Sequence, residues 1–78
     1  MTFVAEFIGR TGDICSYRIQ QRSEGKLVRT FTGRVPCSQR ASAKGWGKDS
    51  DKRQVEHWCK IHPAKLPEDG GTVDINLN

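Results

Sequence analysis

The fold is decided by residues 15–34, whose sequence is CSYRIQQRSEGKLVRTFTGR. Within it, Ser23-Glu24-Gly25 predicts a three-residue turn that pairs Arg22 with Lys26, because glycine adopts the left-handed conformation that such a loop requires. Side chains before and after the turn alternate between two faces, as they do along β-strands. The mainly apolar face contains Cys15, Tyr17, Ile19, Leu27 and Phe31. The opposite, mainly cationic and hydroxylated face contains Ser16, Arg18, Gln20, Arg22, Lys26, Val28, Thr30, Thr32 and Arg34.

A further strand is predicted before this hairpin, over residues 2–8. Residues 9–13 turn the chain back and place Phe7 near Cys15, so that Phe7 shares the apolar face. Phe3 and Ala5 lie on the same side, with Val4 and Ile8 on the other. The three strands form an antiparallel meander.

An amphipathic helix is predicted over residues 51–62. Asp49 and Ser50 offer an N-cap, and Pro63 ends the pattern. The apolar positions recur at i, i+3, i+4 and i+7, which is typical of one helix face, and they are Val55, Trp58, Cys59 and His62. The outer side carries Lys52, Arg53, Gln54, Glu56, His57 and Lys60.

The remaining segments give weaker patterns. Residues 38–44 are compatible with one or two helical turns, and the glycines around Trp46 favour a loop. Residues 66–71 form a turn or linker. Val73, Ile75 and Leu77 then alternate with polar residues, a pattern that fits either a fourth strand or a frayed tail.

These elements predict an α+β fold in which a three- or four-stranded antiparallel β-meander packs on one helix in the C-terminal half. Residues 1–66 would form a single small domain, and residues 67–78 a turn plus an edge strand or tail. The predicted core consists of Phe3, Phe7, Tyr17, Ile19, Leu27, Phe31, Val55, Trp58 and Cys59.

Composition and charge indicate the expected binding partners, the cellular location and the state of the cysteines. The chain has 78 residues, a formal net charge of +4 and a pI near 9.3, which favours encounters with nucleic acid, an anionic membrane or an acidic protein surface. No apolar run approaches the roughly 20 residues that span a bilayer, and no secretion signal is recognisable, so we expect a cytoplasmic protein. Three cysteines are an odd number in such a chain, and we expect free thiols.

The cationic hairpin face is the main candidate site. Phosphate binding needs cations and hydroxyl donors spaced along a surface, which predicts Arg18, Arg22, Lys26 and Arg34 as ligands, supported by Ser16, Thr30 and Thr32. A solvated sheet face explains the same residues. A second cationic cluster surrounds Trp46, which would stack on a base or contact a partner if exposed, although core packing also fits it. That cluster comprises Arg40, Lys44, Lys48, Lys52 and Arg53.

Metal binding and catalysis have less support. Cys59 and His62 lie one helical turn apart and could join Cys37 in a zinc site. A buried Cys59 and a helix-terminal His62 explain the same residues without metal. We expect neither a metal nor a cofactor. Because no phosphate loop, carboxylate pair or third orienting group accompanies the cysteine and histidine, we do not expect an enzyme.

The order strand, strand, strand, helix resembles the arm-type DNA-binding domains of phage and transposon integrases. The resemblance covers about residues 14–62 and rests on Tyr17-Arg18-Ile19, on Gly25-Lys26 at the turn and on the aromatic-bearing helix. It implies that the outer sheet face enters the major groove and that Arg18, Arg22 and Arg34 contact DNA. In its size and lack of catalytic signature, the chain is also similar to phage or mobile-element inhibitors such as anti-CRISPR proteins.

The sequence thus predicts a small non-catalytic binding protein whose basic sheet face engages nucleic acid. The alternative is an inhibitor that binds a host nucleic-acid-processing complex through the sheet face or an exposed strand edge. The choice between DNA, RNA and protein, and between monomer and homodimer, stays open.

Overall fold

The structure is a computed structural model that describes residues 1–36 and 47–77, with side chains described at 1–36 and 52–77. The elements are strands β1 (Thr2–Thr11), β2 (Ile14–Ser23) and β3 (Lys26–Pro36), helix α1 (Gly47–Ile61), a 3₁₀ turn (Pro63–Lys65) and strand β4 (Thr72–Asp74). They form one sheet in the order β1-β2-β3-β4. The predicted α+β class is confirmed.

Strand β4 differs from the expectation in its direction. β1, β2 and β3 are antiparallel neighbours, as predicted, but β4 runs parallel to β3. The chain leaves the end of β3 and passes through α1 before it returns to the sheet. Parallel neighbours need a connection of a dozen or more residues, commonly with a helix, and the segment between β3 and β4 meets this need.

The hairpin between β2 and β3 has a shorter turn than predicted. Ser23 pairs with Lys26, so the turn has two central residues, and the expected pairing of Arg22 with Lys26 is wrong. Glu24 and Gly25 have φ angles of 53° and 78°. Positive φ at both central residues is typical of a type I′ turn, whose twist matches that of the flanking strands.

A β-bulge follows this turn and changes the face of Leu27. The register shifts between Gln21 and Arg22, where Gln21 pairs with Arg29 but Arg22 pairs with Leu27. Leu27 therefore shares the side of Arg22 and is 53% exposed. Its predicted place in the core is wrong, because one extra residue in a strand reverses the alternation beyond it.

The core lies between the sheet and α1. Its buried residues are Phe3, Ala5, Cys15, Tyr17, Ile19, Phe31, Val35, Val55, Trp58, Cys59 and Ile75. Phe7 packs against this cluster and makes an edge-to-face contact with Tyr17, with ring centroids 5.7 Å apart. Ile75, which follows β4, is 1% exposed, so the end of the chain contributes to the core.

Helix α1 begins earlier than predicted and ends beside Pro63. It starts at Gly47 rather than near residue 51, and its last residue is Ile61. Proline cannot donate a backbone hydrogen bond and disfavours helical geometry in the residue before it, which explains the end. His62 packs against Trp58, with ring centroids 5.0 Å apart and the ring planes tilted by 48°. Among the described residues, no helix is long and apolar enough to cross a membrane.

The cysteines differ from one another in their chemistry. Cys59 is a free thiol and is fully buried, as expected. Burial, and to a smaller degree the charge of Glu56, raises the pKa of Cys59 to about 11. Cys15 is disulfide-bonded, so the expectation of a free thiol there is wrong. Three cysteines cannot all form disulfide bonds within one chain, but two of them can form one disulfide bond.

Candidate functional site: the outer sheet face

The face of the sheet that points away from α1 is called the outer sheet face. Its central part follows from the pairing of β2 with β3, where Ser16 lies opposite Arg34, and Arg18 opposite Thr32. These side chains alternate with the buried residues of the same strands, so they all point away from the core. The structure therefore brings five of the predicted residues together on one surface, and they are Ser16, Arg18, Thr30, Thr32 and Arg34.

Arg22 extends this surface toward the hairpin turn. It lies four residues beyond Arg18 on β2, which is about 13 Å along a strand. Its Nη2 donates a hydrogen bond to Oε1 of Gln20, on the same strand and face, at 3.2 Å. The row of arginines on β2 therefore continues to the end of the strand.

Lys26 does not belong to this row, although the sequence predicted that it would. It pairs with Ser23 and precedes Leu27, which the bulge places on the side of Arg22. Successive residues of a strand point to opposite sides, so Lys26 falls on the other side of the hairpin. It is exposed there, at the end of the sheet. The outer sheet face thus has three of the four predicted cations.

Two carboxylates reduce the positive charge of this surface. Glu6 on β1 pairs with Arg18 in the register, yet no ion pair joins these two described side chains. Asp74 on β4 lies 3.9 Å from Nη1 of Arg34, and the two side chains are 86% and 51% exposed. An exposed pair of this kind contributes about 0–1 kcal/mol, so a phosphate can displace Asp74 at little cost.

The strand edges are less accessible than the sequence suggested. On β1, the backbone N–H of Ala5 donates to Oε2 of Glu56 at 2.8 Å. On β3, the N–H of Thr30 donates to Oδ1 of Asp69 at 2.8 Å, and its C=O accepts from Gly70 at 2.7 Å. At these positions the protein's own residues occupy the groups that an added strand would need.

Apolar side chains border the cations. Val4 pairs with Gln20 and is 40% exposed, and Ile8 at the β1 bulge is 44% exposed. At the hairpin end, Leu27 and Val28 are 53% and 51% exposed. Alternation along β1 predicted the outward side for Val4 and Ile8, but only the bulge in the hairpin explains the outward position of Leu27.

The structure describes only some of the other predicted site residues, and these form no metal centre. The described residues contain no group of three His, Cys, Asp or Glu side chains that could hold a metal ion. Cys59 faces the core, and His62 packs against Trp58. The remaining candidates lie outside the described residues, and they are Cys37, Arg40, Lys44 and Trp46.

No family model, curated protein or solved structure matches this chain. The resemblance to integrase arm-type domains and to anti-CRISPR proteins therefore stays a prediction.

Proposed function

We propose that this protein is a non-catalytic nucleic-acid-binding module that contacts the phosphate backbone through its outer sheet face. One observation carries the proposal: α1 covers one side of the sheet, while the opposite side presents Arg18, Arg22 and Arg34 together. Guanidinium groups bind phosphate through charge and through paired N–H donors. The neighbouring hydroxyls of Ser16 and Thr32 supply further donors.

The position of the aromatic residues favours contacts to the backbone over stacking on bases. Single-strand binding sites commonly stack bases on exposed aromatic rings. In the described part of the chain, Phe3, Tyr17, Phe31 and Trp58 are buried between the sheet and α1. The outer sheet face therefore offers cations, hydroxyls and one amide, but no ring from these residues.

Salt-dependent binding tests the proposal. A fluorescently labelled duplex oligonucleotide is titrated with protein at several salt concentrations, and anisotropy gives the affinity. We expect the affinity to fall steeply with salt. Replacing Arg18 and Arg22 by alanine removes the cations that face up to two phosphates, and it should lower the slope of log K against log salt by about 0.9 for each of these phosphates.

A variant of equal charge provides the matched control. Replacing Arg53 and Lys60 by alanine removes the same charge from the exposed side of α1, away from the sheet. This variant should keep the wild-type salt slope. Equal decreases of the slope in both variants would mean that net charge alone drives the binding, and salt-independent binding would reject phosphate recognition.

The exposed apolar residues favour a second candidate, an inhibitor similar to anti-CRISPR proteins that binds a host nucleic-acid-processing complex. Arginine next to exposed apolar side chains is typical of protein interfaces. Leu27 and Val28 would then insert into the partner. This candidate predicts negligible affinity for free nucleic acid and a stoichiometric complex from the native host. Substitution of Leu27 and Val28 by serine should abolish that complex.

A further inference from the structure

A groove on the other side of the molecule combines an apolar floor with a cationic rim. It has a volume of about 320 Å³ and runs between the exposed side of α1 and the end of the chain. The described residues that line it are Arg53, Gln54, His57, Trp58, Ile61 and Leu77. None of them belongs to the outer sheet face.

Ile61 is the most unusual residue of this groove. It is the last residue of α1 and is 54% exposed, although an isoleucine of a small domain is more commonly buried. Leu77, which packs partly against the core, and the edge of Trp58 lie beside it. Together they form the apolar part of the groove, and Ile61 is its most exposed apolar side chain among the described residues.

Among the described side chains of α1, the exposed charged groups beside this surface are cationic. They are Arg53 and Lys60, which are seven residues apart, about two helical turns, and so lie along one side of α1. The one acidic residue between positions 52 and 65 is Glu56. Its carboxylate already accepts from the Ala5 backbone and pairs with Lys52 at 3.1 Å.

We propose that this groove binds an acidic peptide segment of a partner protein, anchored by a pair of apolar side chains. The apolar side chains would pack against Ile61 and Leu77, and the flanking carboxylates would pair with Arg53 and Lys60. A phosphate backbone needs the cations but gains nothing from an exposed isoleucine, so the combination favours a peptide over nucleic acid. The groove and the outer sheet face lie on opposite sides of the core, so each can be tested alone.

The test uses a labelled probe peptide in which glutamates flank a central Leu-Phe pair. Two matched peptides replace either Leu-Phe by Ser-Ser or the glutamates by glutamines. We expect the probe peptide to bind the wild-type protein and each matched peptide to bind about tenfold more weakly in fluorescence anisotropy, since both parts of the recognition are needed. Amide chemical-shift changes on binding should map to α1 and Leu77.

Protein variants locate the binding. Ile61→Ser should weaken binding of the probe peptide about tenfold, because the anchor no longer packs on an apolar side chain at this position. Ile8→Ser is the matched control, since Ile8 is also an exposed isoleucine, at 44%, but lies on β1. Both residues are exposed, so both variants should fold, which far-ultraviolet circular dichroism checks.

Several results would overturn the proposal. These are no binding of the probe peptide, equal binding of the Ser-Ser peptide, or an Ile61→Ser variant that binds as well as Ile8→Ser. Displacement of the peptide from α1 by a duplex oligonucleotide would identify nucleic acid as the occupant instead. The Arg18→Ala, Arg22→Ala variant should keep full peptide affinity, which separates a failure of this proposal from a failure of the sheet as a nucleic-acid site.

Discussion

Glu56 joins the helix to the sheet, and its replacement by alanine should destabilise the whole fold. Its Oε2 accepts a hydrogen bond from the backbone N–H of Ala5 at 2.8 Å, and Ala5 is fully buried. Without the carboxylate, this N–H at the outer edge of β1 loses its partner, and its part-buried position restricts the approach of water. The substitution therefore leaves a buried donor unsatisfied.

The expected loss of stability in Glu56→Ala follows from the two interactions that the Glu56 carboxylate makes. An unsatisfied buried donor costs about 1–3 kcal/mol. The ion pair of Glu56 with Lys52 at 3.1 Å joins side chains that are 22% and 41% exposed, and a pair spaced i, i+4 adds about 0.3–0.5 kcal/mol. We expect Glu56→Ala to lower the free energy of unfolding by about 2 kcal/mol, which corresponds to a fall in Tm of about 10 °C for a chain of this size.

Urea denaturation followed by circular dichroism measures this destabilisation, and two variants divide it between the hydrogen bond and the ion pair. Lys52→Ala removes only the ion pair and should cost under about 0.5 kcal/mol. Glu56→Gln keeps an acceptor oxygen and should recover much of the stability. The amide of Ala5 should exchange with solvent faster in Glu56→Ala than in the wild type. A Glu56→Ala protein as stable as the wild type, or a Lys52→Ala protein that is equally weakened, would refute the role of the hydrogen bond.

Three other substitutions test the core and its boundary. In Gly33→Ala, the new Cβ would lie 2.7 Å from Cδ1 of Ile19 and 2.8 Å from Cδ1 of Ile75. This overpacking should lower the free energy of unfolding by about 1–3 kcal/mol, measured by urea denaturation. Unchanged stability would show that both isoleucine side chains move freely. Leu27→Ser should change stability by less than about 0.5 kcal/mol, whereas a large decrease would place Leu27 in the core. Because the pKa of Cys59 is raised from 9.0 to about 11, the folded state binds the proton more tightly, and stability should fall as pH rises from 9 to 11. The fall should be smaller in Cys59→Ala, and identical pH profiles would contradict the shift.

Local periodicity explains how much of the fold the sequence predicted. Alternation placed Tyr17, Ile19 and Phe31 on one buried face, and the recurrence at i, i+3 and i+4 placed Val55 and Trp58 on the buried side of α1. Both patterns depend on neighbours in the chain, so they need no knowledge of the tertiary structure. They predicted the α+β class and the outward side of most strand residues.

Features that depend on distant contacts or on a local irregularity were not predictable. Glu24 adopts a positive φ, which is uncommon for glutamate, so the sequence pointed to a longer turn. The bulge that exposes Leu27 and turns Lys26 to the other side leaves no mark in the residue pattern. The direction of β4 depends on where the chain returns after α1. The bond at Cys15 depends on distances that counting cysteines does not provide.

The two candidate surfaces also differ in whether the sequence alone could predict them. Arg18, Arg22 and Arg34 share a face because side chains alternate along the strands, and all three are exposed. The groove at Ile61 combines the end of α1 with Leu77, which is 16 residues further along the chain, counting from position 61 to position 77. No pattern within either segment connects the two, so only the tertiary structure reveals this surface.

The distance between the two surfaces determines how they influence each other. The shorter dimensions of the molecule are 21 and 20 Å, and the core separates the outer sheet face from the groove. The Debye length at physiological salt is about 8 Å, so a charge bound on one surface is largely screened at the other. Cations removed from the sheet should therefore change nucleic-acid binding without changing peptide binding, and the reverse should hold for Arg53 and Lys60. If both proposed ligands bind, this small chain can hold a nucleic acid and an acidic protein segment at once. The two binding free energies should be nearly additive, because the charge of each ligand is largely screened at the other surface.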